Sequence, residues 1–224
     1  ESEESMGRII TVASSKGGGG KTLLCCVLAP GLAARGYRVG VVDGDPNASF
    51  TAWHAGYAGP EVRCQAEARD VELVDLAQSW AAELDVVLVD TAGFSNLTAA
   101  AAMGCADYVL VPAMPDRGST REAARTIEKT ASLAKAARRA IGASVVLSQW
   151  RQGGQAEAAA LEDLTDFGIG SLMKTPMPDR AAFRKMSFDG RVITGPLAGA
   201  VDSLLDELVV LAKLRKRAKK ERAA

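Results

Sequence analysis

The chain has 224 residues, 48 % of them hydrophobic, which excludes a disordered chain and leaves room for one α/β domain with a full core. Lysine plus arginine number 27 and aspartate plus glutamate 27, a formal charge of zero that conceals an acidic start and a basic end. No apolar run approaches membrane-spanning length and no signal peptide is visible, so a spanning protein is not expected. The thiols Cys25, Cys26, Cys64 and Cys105 have neither zinc nor Cys-x-x-Cys spacing and read as free thiols of a reducing cytoplasm. Residues 1–5 precede Met6 and read as a leader or expression remnant, residues 6–212 as one domain, and residues 213–224 as a basic tail continuing the last helix.

Ile9, Ile10 and Val12 form a short apolar strand, followed by Gly17, Gly18, Gly19 and Gly20, then Lys21-Thr22 and an apolar helical run from Leu23 to Leu32. Strand, glycine loop and helix in that order make a phosphate-binding loop. Glycines let successive backbone N–H groups turn toward one anion, and the helix starting near Lys21 adds the positive end of its dipole. In such a loop Lys21 reaches the β- and γ-phosphates and the Thr22 hydroxyl binds Mg²⁺. The first glycine of the usual G-x-x-x-x-G-K-[ST] pattern is replaced by Ser15, and a second lysine, Lys16, lies inside the loop. The first helix is expected to reach residue 35, kinked or ended early by Pro30, with Gly36 as its cap. Val39, Val41 and Val42 read as a parallel strand ending at Asp43. Carboxylates at strand C-termini face the ligand crevice, so Asp43 and Asp45 fall beside the phosphates.

Residues 49–60 read as a short helix and turn in which Trp53 and His54 are packing or surface residues. A short strand follows at 62–64, then a helix over 70–84 with Val71, Val74, Leu76 and Trp80 on one face. Residues 85–93, Asp-Val-Val-Leu-Val-Asp-Thr-Ala-Gly, give a buried strand that delivers Asp90 to the crevice in a Walker B pattern, where it holds Mg²⁺ through water. Gly93 would approach the γ-phosphate by its backbone N–H. Residues 107–112 are a strand, 113–119 a loop, and 120–140 a helix whose Arg121, Arg125, Lys129, Lys135, Arg138 and Arg139 read as a solvated face. A strand at 144–147 and a helix at 156–167 ended by Gly168 come next. Residues 172–186 place two prolines in a stiff loop after a short strand, with Asp179 capping a further helix. The last helix opens at Gly195-Pro196 and docks through Leu204, Leu205, Leu208 and Leu211. Its end is a run of cations: Lys213, Arg215, Lys216, Arg217, Lys219, Lys220 and Arg222.

The stretch from Lys16 to Thr22 resembles the deviant Walker A motif, KGGxGK[ST], of the ParA/MinD family of ATPases. Residues 43–47 resemble that family's D-x-D-P-Q motif, with Asn47 in place of glutamine. Glycine loop, Asp-x-Asp, strand Asp and basic end together cover most of the chain. The resemblance implies an α/β fold, a doubly wound, mostly parallel sheet with helices on both faces. It implies ATP and Mg²⁺ as ligands, held by the loop from Lys16 to Leu23, with Thr22, Asp43 and Asp90 around the metal. Lys16 would reach across a nucleotide-sandwich homodimer, and Asp45 would position the attacking water. The backbone of Thr175, Pro176 and Met177 would cradle the adenine. Ser119 stands where the family commonly has aspartate, which removes any contact carried over to that position. The implied activity is slow, dimer-dependent ATP hydrolysis that releases non-specifically bound DNA, in segregation with a centromere-binding adaptor. Three alternatives remain: a ParA-like ATPase of conjugal or T-DNA transfer that works with a relaxase, a MinD-like membrane-associated positioning ATPase, and a metabolic P-loop kinase. The tail after Leu214 has no large apolar residue for a membrane helix, which ranks the MinD-like alternative lower.

Overall fold

Short, largely apolar runs rich in β-branched residues suit strands covered on both faces, with the more polar Val62–Ala66 run suited to an edge. In a computed structural model that describes residues 6–14, 18–93, 97–179, 181–189 and 197–216, these runs form one six-stranded sheet. The strands are β1 (Arg8–Val12), β2 (Val39–Gly44), β3 (Val62–Ala66), β4 (Val86–Thr91), β5 (Tyr108–Ala113) and β6 (Gly142–Leu147). Their order is β3-β2-β4-β1-β5-β6, and every named pairing is parallel. The helices are α1 (Lys21–Ala34), α2 (Ser49–His54), α3 (Asp70–Glu83), α4 (Leu97–Cys105), α5 (Arg117–Ala137), α6 (Gln155–Asp166), α7 (Ala181–Asp189) and α8 (Ala198–Leu211).

Alternate strand residues feed two cores. Ile10, Val41, Leu88 and Leu110 pack under α1, α2, α7 and α8, while Ile9, Val42, Val87 and Val109 pack under α3, α4, α5 and α6. This is the doubly wound arrangement expected from the sequence. Parallel register brings the strand ends level: Val12 pairs with Asp90, and Asp43 pairs with Asp90. Asp90 shares the parity of Val86 and Leu88, so its carboxylate lies on the α1 side of the sheet.

The structure corrects several local expectations. α1 runs through Pro30 to Ala34 without ending early. Leu28, Ala29 and Leu32 are fully or almost fully buried around it, and this packing outweighs the roughly 3 kcal/mol a proline costs inside a helix. Gly36 caps the helix as expected, at φ +83°, with its N–H donating to Ala33 O and Tyr37 N–H to Leu32 O. The buried face of α3 is Leu73, Ala77, Trp80 and Ala81, whereas Val71 is 64 % exposed. α5 starts three residues early because Asp116 caps it, accepting from Ser119 N at 3.0 Å. Ser119 is therefore a buried capping residue, its hydroxyl accepting from Met114 N at 2.9 Å.

The last helix does not continue into the basic run. α8 ends at Leu211, and Lys213 adopts φ +52° with its N–H on Val210 O while Leu214 N–H returns to Val209 O. This is a Schellman end built on lysine instead of glycine. Leu211 is 38 % exposed, and Ala212 and Leu214 take its expected place in the core. Gly195 and Pro196, the expected start of this helix, lie outside the described residues. No helix among the described residues is long and apolar enough to cross a membrane.

The revised α3 face predicts a sharp contrast. Leu73→Ala should lower stability by about 2–5 kcal/mol in denaturant titration, whereas Val71→Ala should change it by less than about 0.5 kcal/mol.

Candidate functional site

The site lies where the C-terminal ends of β1, β2 and β4 meet the start of α1. Gly20 precedes α1 at φ +84° and Gly18 sits at φ +74°, conformations that side chains rarely adopt, so the loop needs glycine at both positions. Leu24 N–H donates to Gly20 O at 2.9 Å and closes the first turn. Ser15, Lys16 and Gly17 lie outside the described residues, as do the tail cations Arg217, Lys219, Lys220 and Arg222.

Lys21 is 7 % exposed. Burial pushes its ammonium below the usual lysine range, while Asp90 and Asp45 pull it back up. Asp90 has no exposed surface, and neither carboxylate oxygen has a well-aligned hydrogen bond among the described residues, the nearby Thr22 hydroxyl acting on it only weakly. Burial raises it from the ordinary 3.8 to about 7; the Thr22 hydroxyl and Lys21 draw it down, and Asp43 and Asp45 push it further up. Two bare carboxylate oxygens beside a threonine hydroxyl are oxygen ligands suited to a hard cation, and the ammonium of Lys21 beside them suits the anion that would accompany it. Among the described residues no cluster of three carboxylate, histidine or cysteine groups forms a cage, so the ion would need oxygens from phosphate and water. That fits Mg²⁺, which is held by one or two carboxylates plus substrate phosphates.

Asp43 is equally buried but fully engaged. Its Oδ2 accepts from Thr51 N at 2.8 Å and Thr51 Oγ1 at 3.0 Å, and its Oδ1 accepts from Asp45 N at 3.3 Å. Asp43 thus holds α2 and the turn after β2, and its influence on a metal is exerted through charge and position. Asp45 is half-buried, and its Oδ1 accepts from Asn47 N at 2.9 Å and Asn47 Nδ2 at 3.0 Å. That turn keeps Asp45 at the crevice mouth. Gly93 lies half-buried two residues beyond β4, and Leu23 half-buried in the first turn of α1. At the opposite, N-terminal end of the central strands, Asp85, the first residue of the Walker B run, is a structural anion 2.7 Å from the Arg38 guanidinium.

Residues 174–179 run beside the segment leaving β6. Met177 N–H donates to Leu147 O at 2.7 Å, and Trp150 N–H to Met177 O at 3.0 Å. Met177 is 2 % exposed and its side chain belongs to the core. Thr175 N–H donates to Glu207 Oε2 at 3.0 Å, and Thr175 and Pro176 are both half-buried. Asp179, expected as a helix cap, accepts from Arg151 at 2.6 Å. His54 is a packing residue, its Nε2 2.8 Å from Val62 O, and Trp53 is buried with its indole N–H on Met186 O at 2.7 Å.

Two features escaped sequence reasoning. Thr51 carries no motif and is found only by its two bonds to Asp43. Ser148 has no exposed surface, and its hydroxyl lacks a hydrogen-bond partner among the described residues. It faces the phosphate loop: a Cβ on Gly20 would stand 4.0 Å from Ser148 Oγ.

Comparison with known proteins bears on the family and the fold. The family model described as VirC1 protein matches residues 7–194. The protein ParA of Rhizobium radiobacter is 31 % identical over 141 residues, 62 % of this chain and 64 % of that protein's length. An ATP complex of a McdA variant from Cyanothece superposes with a TM-score of 0.76 at 15 % identity, covering 96 % of this chain and all of that one. The septum site-determining protein MinD of Pyrococcus horikoshii, solved with Mg-ADP, gives 0.70 at 19 % identity over 92 % of this chain and 98 % of that one. The structural likeness shows the ParA/MinD type of P-loop fold.

The bare Asp90 carboxylate yields a prediction for the ligand-free protein. Its folded-state pKa lies above the unfolded value, so it favours the folded state at low pH and that contribution is lost as pH rises from about 4 to about 7. Asp90→Asn should raise the melting temperature by roughly 5 °C at pH 8 and by only about a third as much at pH 5, measured by calorimetry without nucleotide.

Proposed function

We propose that this chain, which belongs to the VirC1 family, is a Mg²⁺-dependent ATPase of the ParA/MinD type that switches between a free and a DNA-bound state. The observation that carries the reading is Asp90, a buried carboxylate beside Lys21 and Thr22 whose two oxygens are bare among the described residues. Such an arrangement is costly in the empty protein and suits a metal–phosphate ligand. Lys21, already partly desolvated, places a compact charge on the β- and γ-phosphates. The phosphate loop, from Lys16 through Leu23, supplies N–H donors, and Gly93 adds one toward the γ-phosphate. Thr22 and Asp90 would hold Mg²⁺, with Asp43 behind them, and the ion would supply positive charge to neutralise the phosphates. Asp45, held by Asn47, orients the attacking water. Thr175 and Pro176 border the adenine, with Met177 beneath them.

In this reading Lys16 reaches the partner's phosphates, so ATP favours a homodimer and hydrolysis releases it. The tail cations Lys213, Arg215, Lys216, Arg217, Lys219 and Lys220 contact DNA phosphates without reading bases. Two tails on one dimer bind more tightly than one through effective concentration. The cellular role is segregation of DNA in the cytoplasm, on the nucleoid in the ATP state, with a centromere-binding adaptor that stimulates turnover. The ParA relative supports it. A second reading keeps the switch and changes the cargo to transfer DNA, with a relaxase as stimulator. It is favoured by the resemblance of residues 176–186 to that branch, a segment inside the stretch matched by the family model. Adding a relaxase or a partition adaptor to an ATPase assay separates the two.

The assignment of roles gives three expectations. Lys21→Ala should abolish ATP binding in calorimetry, and Asp45→Ala should keep ATP affinity while turnover falls about 10²-fold or more, leaving a long-lived dimer in light scattering. Unchanged ATP affinity in the Lys21 variant would overturn the phosphate-loop assignment. Replacing Arg215, Lys216, Arg217, Lys219 and Lys220 together by alanine should abolish salt-sensitive, ATP-dependent binding of unrelated duplexes and spare dimerisation; retained DNA binding would move the contact to α5, where Arg121 and Arg125 are exposed.

A further inference from the structure

α8 is tied at two places. Arg35, at the end of α1, donates to Asp206 Oδ1 at 2.8 Å and to Asp202 Oδ1 at 3.1 Å. One residue on, Glu207 turns toward the other side. Its Oε1 accepts from Lys174 N at 2.7 Å and its Oε2 from Thr175 N at 3.0 Å. A carboxylate that spans two successive backbone N–H groups, one oxygen to each, is a charge-assisted clamp that fixes the peptide between them as well as its distance. The clamped peptide opens the loop that Met177 then pins to β6 through Leu147 O. Pro176, between clamp and pin, has its φ fixed by its ring. Four residues, 174–177, are thus held at both ends and stiffened in the middle.

We infer that Glu207 is a positioning residue for the base of the nucleotide: its two-oxygen grip on the backbone of Lys174 and Thr175 sets the wall against which the base packs. The inference rests on the reading that residues 175–177 border the adenine. Glu207 itself touches no ligand. Without it, two N–H donors lose their partner and the loop relaxes, while the phosphate loop, on another element, stays as it is. The effect is therefore confined to the base half of the ligand.

The test compares ATP, GTP and inorganic tripolyphosphate, each with Mg²⁺, binding to the full chain in calorimetry. Glu207→Ala should weaken ATP binding about tenfold, leave tripolyphosphate unchanged and narrow the preference for ATP over GTP. Glu207→Gln, which keeps an acceptor for one N–H and the length of the side chain, should fall between. Equal losses for ATP and tripolyphosphate, or no loss for either, would overturn the positioning role. Pro176→Gly separates the two layers of the argument. If it erases the ATP preference while Glu207→Ala keeps it, the base wall stands and the clamp is refuted. If the wild type does not distinguish ATP, GTP and tripolyphosphate, the base wall is refuted and the inference with it. Should Glu207→Ala lose its cooperative melting transition, the Glu207→Gln values decide by the same criteria.

Discussion

Asp90 carries its carboxylate at a depth where water does not reach it, and that single burial orders the rest of the crevice. Charge held away from water without a donor costs several kcal/mol, and the protein tolerates it because the sheet leaves no choice. β4 lies between β1 and β2, and its side-chain parity is fixed by Val86 and Leu88 in the core. Once those are buried under α1, Asp90 must follow them. Lys21 answers with the opposite penalty, desolvated at the head of the same helix. Neither group satisfies the other completely, and the remaining imbalance is what a metal–phosphate ligand would relieve.

Asp43 shows the complementary solution one strand away. It is as buried as Asp90 but has three donors, all from the chain just after it. Two carboxylates level with each other in the sheet have thus divided their work. One is consumed in shaping the turn that carries Asp45, and the other is kept bare. α8 makes a similar division on the next layer, with Asp202 and Asp206 bound to α1 and Glu207 to the loop after β6.

The features legible in the sequence are those where one residue type has one physical use. Glycines at Gly18, Gly20 and Gly36 announce left-handed backbone, and a valine run ending in Asp90 announces a buried parallel strand. What the sequence hides is set by partners far along the chain. The face of α3 was misread because alanines at 77 and 81 weigh little in an apolar pattern, yet they are what fits against the sheet. The ends of α5 and α8 turn left-handed on Arg138 and Lys213, where no glycine marks the stop. Pro115-Asp116 did hold a capping signal for α5. Glu207 and Ser148 carried none, since their meaning comes from Lys174, Thr175 and Gly20.

The Schellman end at Lys213 fixes more than the length of α8. Lys216 lies 5.2 Å from the Tyr37 ring, just before β2 begins, whereas the phosphate loop follows the far end of parallel β1. A six-residue strand spans about 20 Å, and mobile salt shortens the reach of exposed charge to about 8 Å at physiological ionic strength. Through solvent, the root of the tail thus lies beyond the screened reach of any charge bound at the phosphate loop. Any message between them has to be mechanical, carried by packed elements or by the joining of two chains.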